Sequence, residues 1–241
     1  MNQINKIEER LNCKFGLFSL AAFEIEFYLE PAPIRDSQKE NQILAAIYLK
    51  LNQYGVEIEK LDKESADGQY EISLKPKSPD LAVNDLIELK KSLAEAAKPL
   101  NLNLIIHPKP FENLPGCGLH VHISLHDREG KSVLMRDEDK NECEIMLHAI
   151  GGLCHNMIQD FAIFAPSEGS LKRFSSSRNK INEDENPIAA YNNAPVNVSW
   201  GGNNRTTAIR IPTSTIDETK RHIEHRVASG DDDSEKDMEK I

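Results

Sequence analysis

The feature that most constrains this chain is a period-two alternation recurring in short stretches far apart along it. Strand side chains point alternately to opposite faces, so such stretches read as strands with two unlike faces. In the first, Phe23, Ile25, Phe27 and Leu29 point one way and Glu24, Glu26 and Tyr28 the other. That puts two carboxylates on one face about 7 Å apart. In Leu119 to Leu125 the apolar set is Leu119, Val121, Ile123 and Leu125, with His120, His122 and Ser124 opposite. Glu71 and Ser73 oppose Ile72 and Leu74; Arg210 opposes Ile209 and Ile211; His222, Glu224 and Arg226 oppose Ile223 and Val227.

Between these stretches the apolar period changes. Ser78-Pro79-Asp80 is a helix start, and Ala82, Leu86, Leu89, Leu93 and Ala96 then recur at helical spacing. Similar patterns predict helices over Gln3 to Cys13, Ser37 to Tyr54 (stopped by Gly55) and Asn141 to Phe164 (stopped by Ala165-Pro166). Helices separated by two-faced strands predict an α+β fold: a mostly antiparallel, curved sheet with helices on its apolar face. We expect one domain over residues 1–228 and a solvated acidic tail over 229–241, which carries Asp231-Asp232-Asp233.

The polar face is the informative one. A merely solvated face favours Thr, Lys and Ser, whereas these strands offer Glu, His and Arg, the side chains that bind metals, carboxylates and phosphates. Glu24, Glu26, Glu71 and Glu224 brought together would repel one another strongly, so a cation is expected among them. Carboxylates with one imidazole suit Mg²⁺ or Mn²⁺ better than zinc. With 29 Lys+Arg against 39 Asp+Glu the formal charge is −10, which argues against nucleic acid as a partner. Cys13, Cys117, Cys143 and Cys154 form no C-x-x-C pair, and Glu24 and Glu26 interrupt the most apolar stretch. The expectation is a cytoplasmic protein with reduced thiols and no membrane partner. Pro115-Gly116-Cys117-Gly118 lets backbone approach a guest closely, and no phosphate-binding loop of the P-loop or dinucleotide kind is present.

Read together and in order, the stretches resemble the catalytic domain of the glutamine synthetase family. They are Phe23-Glu24-Ile25-Glu26-Phe27, Glu64-Ser-Ala-Asp-Gly-Gln-Tyr-Glu71 and Gly116-Cys-Gly-Leu-His-Val-His-Ile-Ser-Leu125. Next come Gly169-Ser-Leu-Lys-Arg173, Ser199-Trp-Gly-Gly-Asn-Asn-Arg-Thr-Thr-Ala-Ile-Arg-Ile-Pro212 and Ile223-Glu-His-Arg226. The resemblance spans about Lys6 to Val227.

It implies an ATP-dependent ligase of nitrogen metabolism that joins glutamate to ammonia or another amine, with ATP as co-substrate and two Mg²⁺ or Mn²⁺ ions. Glu26, Glu64 and Glu71 would ligate one ion; Glu24, His120 and Glu224 would ligate the other. Gly116, Arg173 and Arg226 would bind the substrate glutamate. His122, Ser124, Arg205 and Arg210 would contact ATP, with Arg173 and Arg205 also acting in catalysis.

Some family parts are not expected here. The N-terminal β-grasp domain has no counterpart, which weighs against homo-oligomeric ring assembly. Ser175 to Asn193 replaces a short flap with a polar insertion, in which Glu183, Asp184 or Glu185 would have to supply the flap's glutamate, and Asn193 precedes Ala194-Pro195. Pro115 stands where the family often has Asn, and the acidic tail replaces C-terminal helices. The alternative is therefore a relative without turnover that binds metal and nucleotide or serves as an interaction subunit.

Overall fold

The computed structural model describes residues 3–32, 37–175, 194–195, 197–213 and 217–230. Helices α1 (Gln3–Phe15), α2 (Ser37–Gln53), α3 (Pro79–Ala97), α4 (Glu144–Phe164) and α5 (Glu168–Ser175) accompany strands β1 (Phe18–Glu30), β2 (Ile58–Lys63), β3 (Gln69–Leu74), β4 (Asn103–Ile105), β5 (Leu119–His126), β6 (Trp200–Gly201), β7 (Ile209–Arg210) and β8 (Ile223–His225). One sheet runs β2-β3-β1-β5-β8-β7-β6, and β4 also pairs with β1. Every pairing is antiparallel except β6 with β7. The expected α+β class and mostly antiparallel sheet are what the chain adopts.

The alternation works as the sequence implies. On the apolar face Phe23, Ile25, Ile72, Leu119, Val121 and Ile223 are buried, and they pack with Ile4, Leu86, Leu89, Leu93, Met146 and Ile150 from the helices. Phe27 and Leu29 join the same core. Helix α3 buries the stripe read from its spacing, Ala82, Leu86, Leu89, Leu93 and Ala96. Its start differs in detail: Pro79 occupies the first turn, but the Ser78 hydroxyl donates to Asp80 Oδ1 at 2.8 Å and caps no backbone N–H.

The boundaries shift where side chains compete for backbone groups. The helix expected from Asn141 begins at Glu144, because Asp137 closes a turn by accepting the Asn141 N–H at 2.8 Å. The strand expected over Thr207 to Ile211 shortens to Ile209–Arg210, since the Thr207 hydroxyl bonds the carbonyls of Asn204 and Ile209. The expected tail begins too early: Ser229 is fully buried and Gly230 is buried against Ile106, so both belong to the packed body. Asp231-Asp232-Asp233 and the rest of 231–241 lie outside the described residues, as do 176–193, including Glu183, Asp184, Glu185 and Asn193. Among the described residues no helix is long and apolar enough to cross a membrane.

Candidate active site

Antiparallel register assembles the polar face. Glu24 lies opposite Ser73 on one side and His120 on the other, while Glu26 lies opposite Glu71. His122 lies opposite Glu224, which in turn lies opposite Arg210. Residues directly across an antiparallel pair share a face, so five strands deliver their charged side chains to one patch. Glu24, His120 and Glu224 offer ligand atoms within 4.8 Å of one another, and so do Glu26, Glu71 and His120.

His120 is the hinge between the two groups. Its Nδ1 lies 2.8 Å from Glu24 Oε1 and 3.4 Å from Glu224 Oε1, and its Nε2 lies 4.0 Å from Glu26 Oε1. Burial, then the Arg226 charge, lowers its pKa to about 4. The ring is thus neutral at pH 7, and a carboxylate against Nδ1 fixes the proton there, leaving the Nε2 lone pair facing Glu26.

The two halves of the patch are balanced differently. Glu224 accepts from Arg210 Nη1 at 2.5 Å and also pairs with Arg226. Burial opposes its ionisation, but His120, Arg226, His122 and Arg210 outweigh burial and hold its pKa at about 2. Glu24 is likewise held far below the usual carboxylate range: burial acts against it, and its bond to His120 and the His122 imidazole close by win. At the other half burial prevails over the nearby Arg173 and Arg226 charges. Burial raises Glu26 to about 7, with Glu64 adding repulsion and Arg173 opposing. Burial and the neighbouring Glu24, Glu26 and Glu64 carboxylates raise Glu71 to about 10. A divalent cation fits this half: it would replace protons that these carboxylates otherwise must hold.

The remaining expected residues divide. Glu64 and Ser65 line a small, partly open cleft of about 30 Å³ with Glu26, Gln69, Pro115, Gly116, His120, Arg173, Ala194 and Arg226. Glu64 is beside Glu26 but outside the two tight ligand groups, and its Oε2 accepts the Ser65 N–H at 3.0 Å. Arg173 is buried, and its guanidinium donates to the carbonyls of Arg226, Val227 and Ala228 at 3.0–3.1 Å. Arg210 spends Nε and Nη2 on Asn203 Oδ1. Arg205 sits on an exposed loop between β6 and β7. His122 and Ser124 continue the polar face along β5. His122 Nε2 is buried 3.6 Å from Glu24 Oε2, and Ser124 Oγ is 2.9 Å from His126 Nε2. Burial works against charge on His122, but Glu24 and Glu224 overcome it and raise its pKa.

The sequence placed Tyr28 and His222 on polar strand faces and Gln69 in the Glu64–Glu71 stretch but assigned none of them a role. Gln69 has the parity of Glu71, and Tyr28 that of Glu26, so the alternation carried the signal for both. His222, packed edge-on to His122 with ring centroids 5.1 Å apart, shares parity with Glu224. A larger groove of about 340 Å³ lies on the opposite, apolar side, between α1 and α4, lined by Ile4, Leu11, Ile123, Leu125 and Leu153. Its walls carry little titratable chemistry, so the polar patch is the functional candidate.

Comparison with known proteins agrees with this geometry. The family model described as glutamine synthetase, catalytic domain, matches residues 30–232. Gamma-glutamylputrescine synthetase PuuA of Escherichia coli is 28% identical over 258 residues, covering 95% of this chain and 51% of that protein. Glutamate–methylamine ligase of Methyloversatilis universalis is 31% identical over 171 residues, covering 69% of this chain and 36% of that protein. The chain thus spans about half the length, or less, of the curated relatives it matches. A structure described as a novel glutamine synthase homolog has the same fold, with a TM-score of 0.77 at 23% identity, over 95% of this chain and 54% of the other.

Proposed function

Because the chain belongs to the glutamine synthetase catalytic-domain family, we propose that its polar sheet face is the active site of an ATP-dependent ligase that joins glutamate to an amine. The observation that carries this reading is the Glu26–Glu71–His120 group, whose carboxylates are under-compensated by the protein's own cations. Glu26, Glu71 and the His120 Nε2 lone pair would hold one divalent ion, with Glu64 closing the group from the loop before β3. Glu24 and Glu224 would serve a second, with His120 Nδ1–H donating to Glu24. Bound Mg²⁺ or Mn²⁺ would supply electrostatic stabilisation of charge on a transferring phosphoryl group. Arg226, Gly116 and Arg173 face the small cleft and would orient the glutamate; Arg210, Arg205, His122 and Ser124 would meet the phosphates and nucleotide of ATP. The amine of the reaction belongs to the same class as the putrescine and methylamine in the relatives' names, small and cationic, and an acidic patch attracts it.

The test is γ-glutamyl hydroxamate formation from glutamate, ATP and hydroxylamine with Mn²⁺. Activity at least tenfold above that of Glu24→Ala is expected, and indistinguishable rates would count against catalysis. A second reading, metal and nucleotide binding without turnover, is favoured by the bonding of Arg173 to backbone carbonyls. Saturable Mn²⁺ and ATP binding with no hydroxamate would select it.

A further inference from the structure

One rung beyond the Glu26–Glu71 pair on the same face, Tyr28 stands opposite Gln69. Gln69 is 2% exposed, so its amide must find partners within the protein. Nε2 donates to the Gly116 carbonyl at 3.1 Å, and Oε1 accepts the Ala66 N–H at 3.3 Å. One amide thereby ties the loop that carries Glu64 to the Pro115–Gly118 turn. The Tyr28 hydroxyl donates to the Pro115 carbonyl at 2.9 Å, while its ring packs edge-on against Phe111 with centroids 5.1 Å apart.

The turn these two bonds hold is tightly seated. A Cβ on Gly116 would stand 2.4 Å from the Pro108 carbonyl oxygen; one on Gly118 would stand 2.6 Å from Arg173 Nη2 and 2.8 Å from His120 Nε2. From this position the Gly118 N–H donates to Glu26 Oε2 at 2.8 Å, and the Gly118 carbonyl accepts the Glu26 N–H at 3.0 Å. With Oε2 engaged, the Glu26 side chain has lost its rotational freedom, and Oε1 is left toward His120.

We propose that Gln69 and Tyr28 are positioning residues that brace the Pro115–Gly118 turn, so that its Gly118 N–H orients the Glu26 carboxylate for a divalent cation. This rests on the reading of the site given under Proposed function. Neither residue touches the cation; each acts through the turn. A partner that orients a metal-binding carboxylate typically changes metal affinity about 10- to 100-fold when it is removed.

The experiment is a Mn²⁺ titration followed by electron paramagnetic resonance, with hydrogen–deuterium exchange of peptides covering 115–118, on the full chain and on Gln69→Leu and Tyr28→Phe. Tyr28→Phe removes one oxygen from a ring that stays packed, so it serves if Gln69→Leu fails to fold. The expected result is at least a tenfold weakening of one Mn²⁺ site, an unchanged second site, and faster exchange at 115–118. Wild-type affinity at both sites, or equal weakening of both, overturns the brace, since a general loss of stability would not distinguish them. If the wild-type chain binds no Mn²⁺, the metal-site reading fails instead. The brace then stands or falls on exchange alone: unchanged exchange in both variants overturns it, and faster exchange upholds its hold on the turn.

Discussion

At the scale of single residues, the site is a case of one environment moving neighbouring groups in opposite directions. Glu24 and Glu224 gain imidazole or guanidinium partners and stay ionised, while Glu26 and Glu71, equally acidic in isolation, are pushed to about 7 and about 10. The sign of the stability effect follows. Because the folded pKa values of Glu26 and Glu71 lie above the unfolded value of 4.5, their contribution is fully present below that value and is lost as pH rises through 7 towards 10. His120 and His225, lowered to about 4 and about 3 chiefly by burial, contribute stability above 6.5 that is lost as pH falls. Metal-free protein should therefore melt at falling temperatures from pH 7 to 10, and excess Mg²⁺, if it binds the deprotonated carboxylates as proposed, should flatten that limb. Glu71→Gln should flatten it without Mg²⁺ and remove part of the Mg²⁺ effect. Melting curves across pH, with and without Mg²⁺, check both; a metal-free limb that stays level would remove the basis for an under-compensated half.

At the scale of elements, burial outweighs capping. Helix α3 enters through Ser78, yet the hydroxyl is engaged with Asp80 and satisfies none of the helix's open N–H groups. Ser78→Ala should then cost under about 0.5 kcal/mol, less than the roughly 1 kcal/mol usual for a capping serine. Leu86, fully buried on the same helix against the sheet, should cost about 2–5 kcal/mol when changed to Ala. Urea midpoints of the two variants, at unchanged slope, measure the contrast. Strand β8 makes a related point. Only Ile223–His225 pair regularly, and His225 packs its ring on Phe164 at 4.5 Å, so a histidine fills a core position that the alternation reserves for an apolar residue.

At the scale of the molecule, a charged network fixes where β8 begins. Arg221 is 2% exposed; it donates to the Leu134 carbonyl at 3.1 Å and pairs with Glu142, while Arg136 reaches Glu142 and Glu218 at 3.5 and 3.6 Å. These contacts join residues nearly ninety positions apart and set the strand that presents Glu224. Arg136 still faces both carboxylates, but the Leu134 carbonyl loses its donor and the Arg221 side chain its buried contacts, so Arg221→Ala should cost about 1–3 kcal/mol. It should also weaken Mn²⁺ binding at the Glu24–His120–Glu224 group, and calorimetric titration beside a urea melt separates the two effects.

Local geometry made much of this legible from the amino acids alone. Parity along a strand is a property of adjacent backbone units, so it decided that Glu24 and Glu26, His120 and His122, Glu71 and Ser73 would each share a face, and helical spacing decided which side of α3 is buried. The glycine turn and the carboxylate–imidazole chemistry followed from residue type. Strand order and register depend on contacts between distant segments, and only the folded chain set Glu26 opposite Glu71 and Glu24 opposite His120. The same long-range packing gave Glu224 two arginines and Glu71 three carboxylate neighbours, drew the Arg173 guanidinium onto backbone carbonyls, and closed the Gln69 and Tyr28 brace. Those outcomes turn on a few ångströms of separation and on burial, which no local pattern encodes.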